Sequence, residues 1–193
     1  MKLFVATSSF GKDDAFAFDL LRDSGLVVAR NTLGRTLGRE DMLTLLDGCV
    51  GVIAGLEHYT DEVIGQLSDL KVISRCGAGL DGVGIDAARV RGMVVVSTPY
   101  GPTQAVVELT LGLMLSLIRN IDPSSREIKR GEWKKKMGRL LGELTVGIVG
   151  LGRSGRRLAE LLRSFGTTVV GCDVVPDLEW AAVHDVELTA ASC

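Results

Sequence analysis

Short apolar runs alternate with amphipathic stretches through the first hundred residues. Runs at 2–6 (KLFVA), 26–29 (LVVA), 50–54 (VGVIA), 70–74 (LKVIS) and 93–97 (MVVVS) are largely apolar rather than strictly alternating. That pattern predicts strands buried on both faces, hence a parallel sheet under helices. The intervening segments 13–24, 39–46, 60–67 and 86–91 read as helices, the first closed by Gly25. The third opens on Thr60 as an N-cap with Glu62 close behind. Five strands joined by helical crossovers predict a doubly wound α/β sheet in the flavodoxin-like order.

The prolines of TPYGP, residues 98–102, interrupt regular structure and mark a domain boundary, with one domain over 1–99 and a second over 100–193. Beyond it, 103–119 is a long helix, apolar on most of its circumference through Val106, Val107, Leu109, Leu111, Leu113, Met114, Leu117 and Ile118. Such a helix is expected to be buried on several sides. Its apolar run, 106–118, contains Glu108 and is shorter than a bilayer span requires. Residues 122–139 (DPSSREIKRGEWKKKMGR) form a charged helix and loop whose basic run reads as a solvated face rather than a nucleic-acid site.

The stretch VGIVGLGRSGRRLAELLRSFGTTVVGCD, 146–173, carries the candidate chemistry. Gly150, Gly152 and Gly155 spell G-x-G-x-x-G directly after an apolar strand at 144–149. The first glycine allows a tight turn, the second lets the backbone approach a pyrophosphate, and the third lets helix and strand pack closely. The following helix puts Leu158, Leu161, Leu162 and Phe165 on one face and ends at Gly166. Its first amides, at Arg153 and Ser154, point at the anion, where the helix dipole favours negative charge. A strand at 167–172 then delivers Asp173, a carboxylate suited to both adenosine ribose hydroxyls and repelling a 2′-phosphate, so NAD is expected rather than NADP.

Composition narrows the partners. Apolar residues make up 46% and charged residues 24%, as in an ordinary folded chain, and the 24 glycines gather in short loops. A formal net charge of −2 provides no long-range attraction to nucleic acid or anionic lipid. The N-terminus turns polar too quickly for a signal peptide. The four cysteines, Cys49, Cys76, Cys172 and Cys193, form no CxxC pair, so reduced thiols in the cytoplasm are expected and no metal site.

A second glycine loop lies in SRCGAGLDGVGIDAARVRGMVVVSTP, 74–99. Gly77, Ala78 and Gly79 fall at the carboxyl end of the fourth strand, where open α/β sheets bind ligands. Consecutive amides there could hold a substrate carboxylate; read alone, a tight structural turn accounts for them equally well. Together with VVELTLGLMLSLIRNI and GELTVGIVGLGRSGRRLAELLRSFG, this stretch closely resembles the D-isomer-specific 2-hydroxyacid dehydrogenases. The resemblance covers essentially the whole chain, and members acting on phosphoglycerate look nearest. It implies a flavodoxin-like substrate lobe followed by a Rossmann lobe. It also implies that Gly77 and Ala78 meet the substrate carboxylate, with Ala78 also at the nicotinamide end of the cofactor. Arg153 and Ser154 would hold the pyrophosphate and Asp173 the ribose. The 103–119 helix is implied as a homodimer interface. Members acting on phosphoglycerate tend to carry Arg-Ser where this chain has Gly55–Leu56, which puts that substrate in doubt. Many members also carry Asn where this chain has Pro102.

Hydride transfer to or from a 2-hydroxy acid needs a proton carrier and a cation on the carboxylate. The resemblance assigns these to a His–Glu pair and an Arg downstream of Asp173, beyond Cys193. Neither histidine here matches: His58 reads as a loop residue near the ligand edge and His184 as surface. Glu108 reads as a cap on a neighbouring loop rather than a catalytic acid. With only two strands expected after residue 144, Val146, Ile148, Val169 and Val170 should lack neighbours, so the chain is expected to be an incomplete, inactive part of the enzyme. Two functions follow. The first is NAD-dependent oxidation of a D-2-hydroxy acid, with a small 2-hydroxy or 2-oxo acid as partner. The other is a non-catalytic NAD-binding and dimerisation module, as in corepressor relatives of the family.

Overall fold

The computed structural model describes residues 1–8, 10–12 and 16–190. The chain divides into two compact units, Met1–Gly101 and Pro102–Cys193.

Among the described residues, the first unit holds five parallel strands, β1 (Lys2–Val5), β2 (Val27–Arg30), β3 (Cys49–Ala54), β4 (Val72–Arg75) and β5 (Val94–Ser97). Their spatial order is β2-β1-β3-β4-β5, the flavodoxin-like order expected. Parallel neighbours cannot be joined by hairpins, so α1 (Phe16–Asp23), α2 (Arg39–Leu45), α3 (Asp61–Gln66) and α4 (Ile85–Val90) make the crossovers. Residues 13–15 of the expected first helix lie outside the described residues. Thr60 caps α3, its Oγ1 accepting the Val63 N–H at 3.4 Å. The central strand β3 supplies Cys49, Val52 and Ala54 to a core closed by Met42, Leu46, Ile64 and Ile73. Burial on both faces does not extend to the sheet edges. Val27 on β2, and Val94 and Val96 on β5, are exposed, because an edge strand has a neighbour on one side only.

Among the described residues, the second unit holds three parallel strands in the order β6 (Thr145–Val149), β7 (Thr168–Cys172), β8 (Val186–Leu188). The apolar runs predict only two. The third strand is three residues long, too short for a period-2 signal, and pairs with β7 through Val169 and Val186. The helices are α5 (Gly101–Ile118), α6 (Ile121–Lys129), α7 (Arg153–Ser164) and α8 (Leu178–Val183). Helix α5 starts at the boundary and carries Pro102 in its first turn, where a missing N–H costs nothing. Asn120 takes a left-handed φ of 54° between α5 and α6, a conformation Asn tolerates.

Ile148 and Val169 are buried and Val146 and Val170 half-buried, so these side chains do find neighbours, against expectation. The neighbours of Val146, Ile148 and Val169 are Leu151, Ala159, Leu162, Ala181 and Val186, with Leu111, Met114, Leu115 and Ile118 of α5 packed against them. On α7 the buried positions are Ala159 and Leu162; Phe165 lies just past the helix end and is exposed.

Helix α5 corrects a second expectation. Only Val107 is buried, while Val106, Leu109, Leu113 and Leu117 form an exposed stripe. Its 18 residues are also long and apolar enough, by length and composition alone, to cross a membrane, which the shorter apolar run concealed. One flank is nevertheless committed to the core of its own unit. Cys49, Cys76 and Cys172 are free thiols, Cys49 buried and its thiol pushed up by that burial; Cys193 lies outside the described residues.

Candidate functional site

The glycine turn joins β6 to α7 in the second unit. Gly150 has φ 96°, a region L side chains rarely adopt, and its N–H donates to the Cys172 carbonyl at 2.8 Å. A methyl on Gly155 would collide with the Gly150 carbonyl oxygen and lie 3.3 Å from Ile148 Cγ2, so α7 reaches β6 only with glycine there. A methyl on Gly152, by contrast, would meet nothing within 4 Å. The three glycines thus have different reasons: conformation, open approach and packing.

Asp173 stands at the carboxyl end of β7 and is tied to the turn. Its Oδ2 accepts the Leu151 N–H at 2.6 Å and its Oδ1 the Val175 N–H at 3.0 Å. These two donors, Val175 first, hold its carboxyl below the usual carboxylate range, with smaller contributions from the Val174 amide and the charge of Arg156. A carboxylate offers about four lone-pair sites, so the backbone donors leave capacity for a hydroxyl donor. Arg153 and Ser154 occupy the first two positions of α7, as expected, Arg153 exposed and Ser154 half-buried.

Sequence reasoning missed Arg156. Its Nε donates to the Leu151 carbonyl at 2.8 Å and its Nη1 to Asp177 Oδ2 at 2.8 Å. The guanidinium carbon lies 4.9 Å from the centre of the Trp180 ring. Asp177 caps α8, accepting the Trp180 N–H at 3.0 Å, and that bond together with Arg156 lowers its carboxyl. Trp180 in turn stacks on His184 at 4.5 Å, and His184 Nδ1 sits 2.8 Å from the Trp180 carbonyl. His184 is therefore packed in this cluster rather than loose on the surface. One signal could have exposed Arg156: a cation in the first turn of a helix opposes the dipole and needs a reason.

In the first unit, β4 ends at Arg75 and the second glycine loop follows. Of the three consecutive amides that the sequence places here, Gly77 is not available, because its N–H donates to Thr98 Oγ1 at 2.8 Å. The amides of Ala78 and Gly79 have no acceptor among the described residues. The Arg75 guanidinium covers Gly77, where a methyl would come 2.5 Å from Nη1. No carboxylate pairs with Arg75 among the described residues. Arg75 lines a cavity of about 390 Å³ with Thr7, Ser8, Arg35 and Gly55, and a second of about 310 Å³ with His58 and Gly79. Gly55 and Leu56 carry no arginine themselves, yet folding brings Arg35 and Arg75 beside them. Arg35 is held bidentately by Asp41 at 2.5 and 3.0 Å, so Arg75 is the uncompensated cation of the two. Glu57 is buried and its Oε2 accepts the Gly55 N–H at 2.5 Å. Glu108 caps no loop among the described residues: its Oε1 accepts from Gln104 Nε2 at 2.7 Å within α5.

The family model described as D-isomer specific 2-hydroxyacid dehydrogenase, catalytic domain, matches residues 17–192. The chain belongs to that family. Among its relatives, the D-3-phosphoglycerate dehydrogenase of Rattus norvegicus is 36% identical over 171 residues, covering 87% of this chain and 32% of the relative. The chain thus spans about a third of the length of the curated relatives it matches. Among solved structures, the TT0316 protein of Thermus thermophilus superposes with a TM-score of 0.82 at 33% identity, over 98% of this chain and 65% of that one. The D-lactate dehydrogenase from Aquifex aeolicus, solved with NAD and lactic acid, shares the fold with a TM-score of 0.80 at 22% identity, over 98% and 56%. The α/β class with parallel sheets is common to the family and to this chain.

Proposed function

We propose that this member of the family serves NAD-dependent oxidoreduction at the CH–OH group of a D-2-hydroxy acid. Unit Pro102–Cys193 is its NAD-binding part and unit Met1–Gly101 its substrate-binding part. One observation carries the reading: Asp173 is bonded to the Leu151 amide at 2.6 Å, which joins a ribose-binding acid to a pyrophosphate-sized turn. The residues fit the cofactor. Gly150, Gly152 and Gly155, with the amides of Arg153 and Ser154, cradle the pyrophosphate at the helix start. The remaining lone-pair capacity of Asp173 receives the ribose hydroxyls. Bound NAD supplies the hydride acceptor.

The substrate carboxylate is received by the Ala78 amide beside Gly77, with the Arg75 guanidinium supplying positive charge. The uncompensated Arg75 beside Gly55 supports an anionic substrate, and phosphoglycerate stays among the candidates alongside simpler acids. Neither histidine matches the family's proton carrier. His184 is committed to Trp180, and His58 is an exposed residue at a cavity edge. This chain by itself is therefore expected to bind NAD without turning over substrate. A homodimer through α5 is supported by the exposed stripe of Val106, Leu109, Leu113 and Leu117. Cytoplasmic residence rests on the free thiols.

Isothermal titration of the chain with NADH tests the reading. Heat with NADH, and a weaker response to NADPH, is expected; no heat with either overturns it.

A further inference from the structure

We infer that Arg156 is a positioning residue for the cofactor, aiming the Gly152 amide outward at the pyrophosphate. The inference rests on the dinucleotide reading above and assigns a task that none of the three glycines performs.

The peptide joining Leu151 to Gly152 is trans and planar, so its C=O and N–H point in opposite directions. Arg156 Nε takes that C=O at 2.8 Å. The Gly152 N–H is thereby turned away from the body of the unit. Gly152 is exposed, its amide has no acceptor among the described residues, and the space beyond its Cα is open. The preceding peptide is pinned as well. Asp173 holds the Leu151 N–H, and the Leu151 side chain is buried where a methyl on Gly171 would come 2.8 Å from its Cδ1. Both peptides flanking Leu151 are therefore fixed before any ligand arrives. Freezing a donor in advance removes an ordering cost from binding.

Arg156 is not itself a phosphate ligand. Its charge is matched by Asp177 at 2.8 Å, its guanidinium carbon lies over the Trp180 ring, and its Nε and Nη1 donors already serve the protein. A lysine could keep the charge and the stem but has no planar fork to bond the Leu151 carbonyl and Asp177 together. Asp177 and Trp180 also tie the turn to the start of α8, which explains why a cation stands in the first turn of α7 despite the dipole.

The test uses Arg156→Lys and Arg156→Ala in the full chain, with thermal unfolding measured alongside. Each is titrated with NADH, with ADP-ribose and with adenosine. Adenosine carries the ribose for Asp173 and no phosphate. Expected is a loss of about tenfold in affinity for NADH and ADP-ribose, the size of one well-aimed charge-assisted bond, and no change for adenosine beyond about twofold. Should Arg156→Ala fail to fold, Arg156→Lys carries the comparison. Equal losses for adenosine and ADP-ribose would mean general loosening of the unit and overturn the inference, as would unchanged affinity for all three ligands. A wild-type chain that binds neither NADH nor ADP-ribose removes the dinucleotide reading and this inference with it. Wild-type binding with an indifferent Arg156→Lys removes this inference alone.

Discussion

Alanine at position 155 should damage the fold, and alanine at position 152 should damage only the ligand site. At Gly155 the new Cβ would run into the Gly150 carbonyl oxygen, with the carbonyl carbon at 3.0 Å and Ile148 Cγ2 at 3.3 Å. Neither obstacle can give way cheaply. The Gly150 carbonyl is backbone in a turn held by the bond to Cys172, and Ile148 is in the core. Helix α7 must instead lift from β6, loosening the seat of Ala159 and Leu162. Overpacking of this kind costs roughly 1–3 kcal/mol, and a backbone obstacle argues for the upper half. For a unit of this size each kcal/mol moves the melting midpoint by about 4–8 °C, so a fall of roughly 10–20 °C is expected. Gly152 has an extended backbone with φ −72° and empty space at its Cβ. Alanine there should leave the stability within about 0.5 kcal/mol of wild type. Its methyl, however, stands where the pyrophosphate must approach, and NADH affinity should fall at least ~10-fold. Circular dichroism melts and NADH titration of both variants decide the matter. A Gly155→Ala chain melting like wild type, or a Gly152→Ala chain binding NADH like wild type, refutes the assignment of roles.

Three further outcomes are expected. The Asp173 carboxyl is held below its ordinary range by the Val175 and Leu151 amides, so its contribution is complete above the unfolded pKa of about 3.9 and is lost as pH falls through the lower folded value. The melting midpoint should accordingly drop below about pH 4, and drop less in Asp173→Asn, as read by acid titration of the melt. Leu113→Glu on the exposed stripe of α5 should convert a dimer to a monomer in sedimentation without lowering the melting midpoint of the monomer, since that side chain is already exposed. Arg75→Met should weaken binding of oxalate or a 2-oxo acid by about tenfold or more and leave NADH binding unchanged, because Arg75 has no carboxylate partner among the described residues whose loss would destabilise the unit.

What the chain's linear pattern determined is local or repetitive. Apolar runs such as 50–54 announced strands, and their alternation with helices was enough for the five-stranded order, because parallel crossovers leave few topologies. The turn at Gly150, Gly152 and Gly155 and the acid at 173 were legible for the same reason: each is a short-range requirement with a fixed residue type. What the tertiary structure decided depends on partners far apart in sequence. The three-residue β8 exists because β7 offers it a ladder. Arg75 gained its meaning from Gly77 and the cavity beside Gly55, and Arg156 from Leu151 and from Asp177, 2.8 Å from its Nη1. The apolar circumference of α5 could not say which flank the core would take, since that is set by the sheet it lies on. Periodicity records how a segment meets its surroundings, whereas a side chain's partner is chosen only when the surroundings have been assembled.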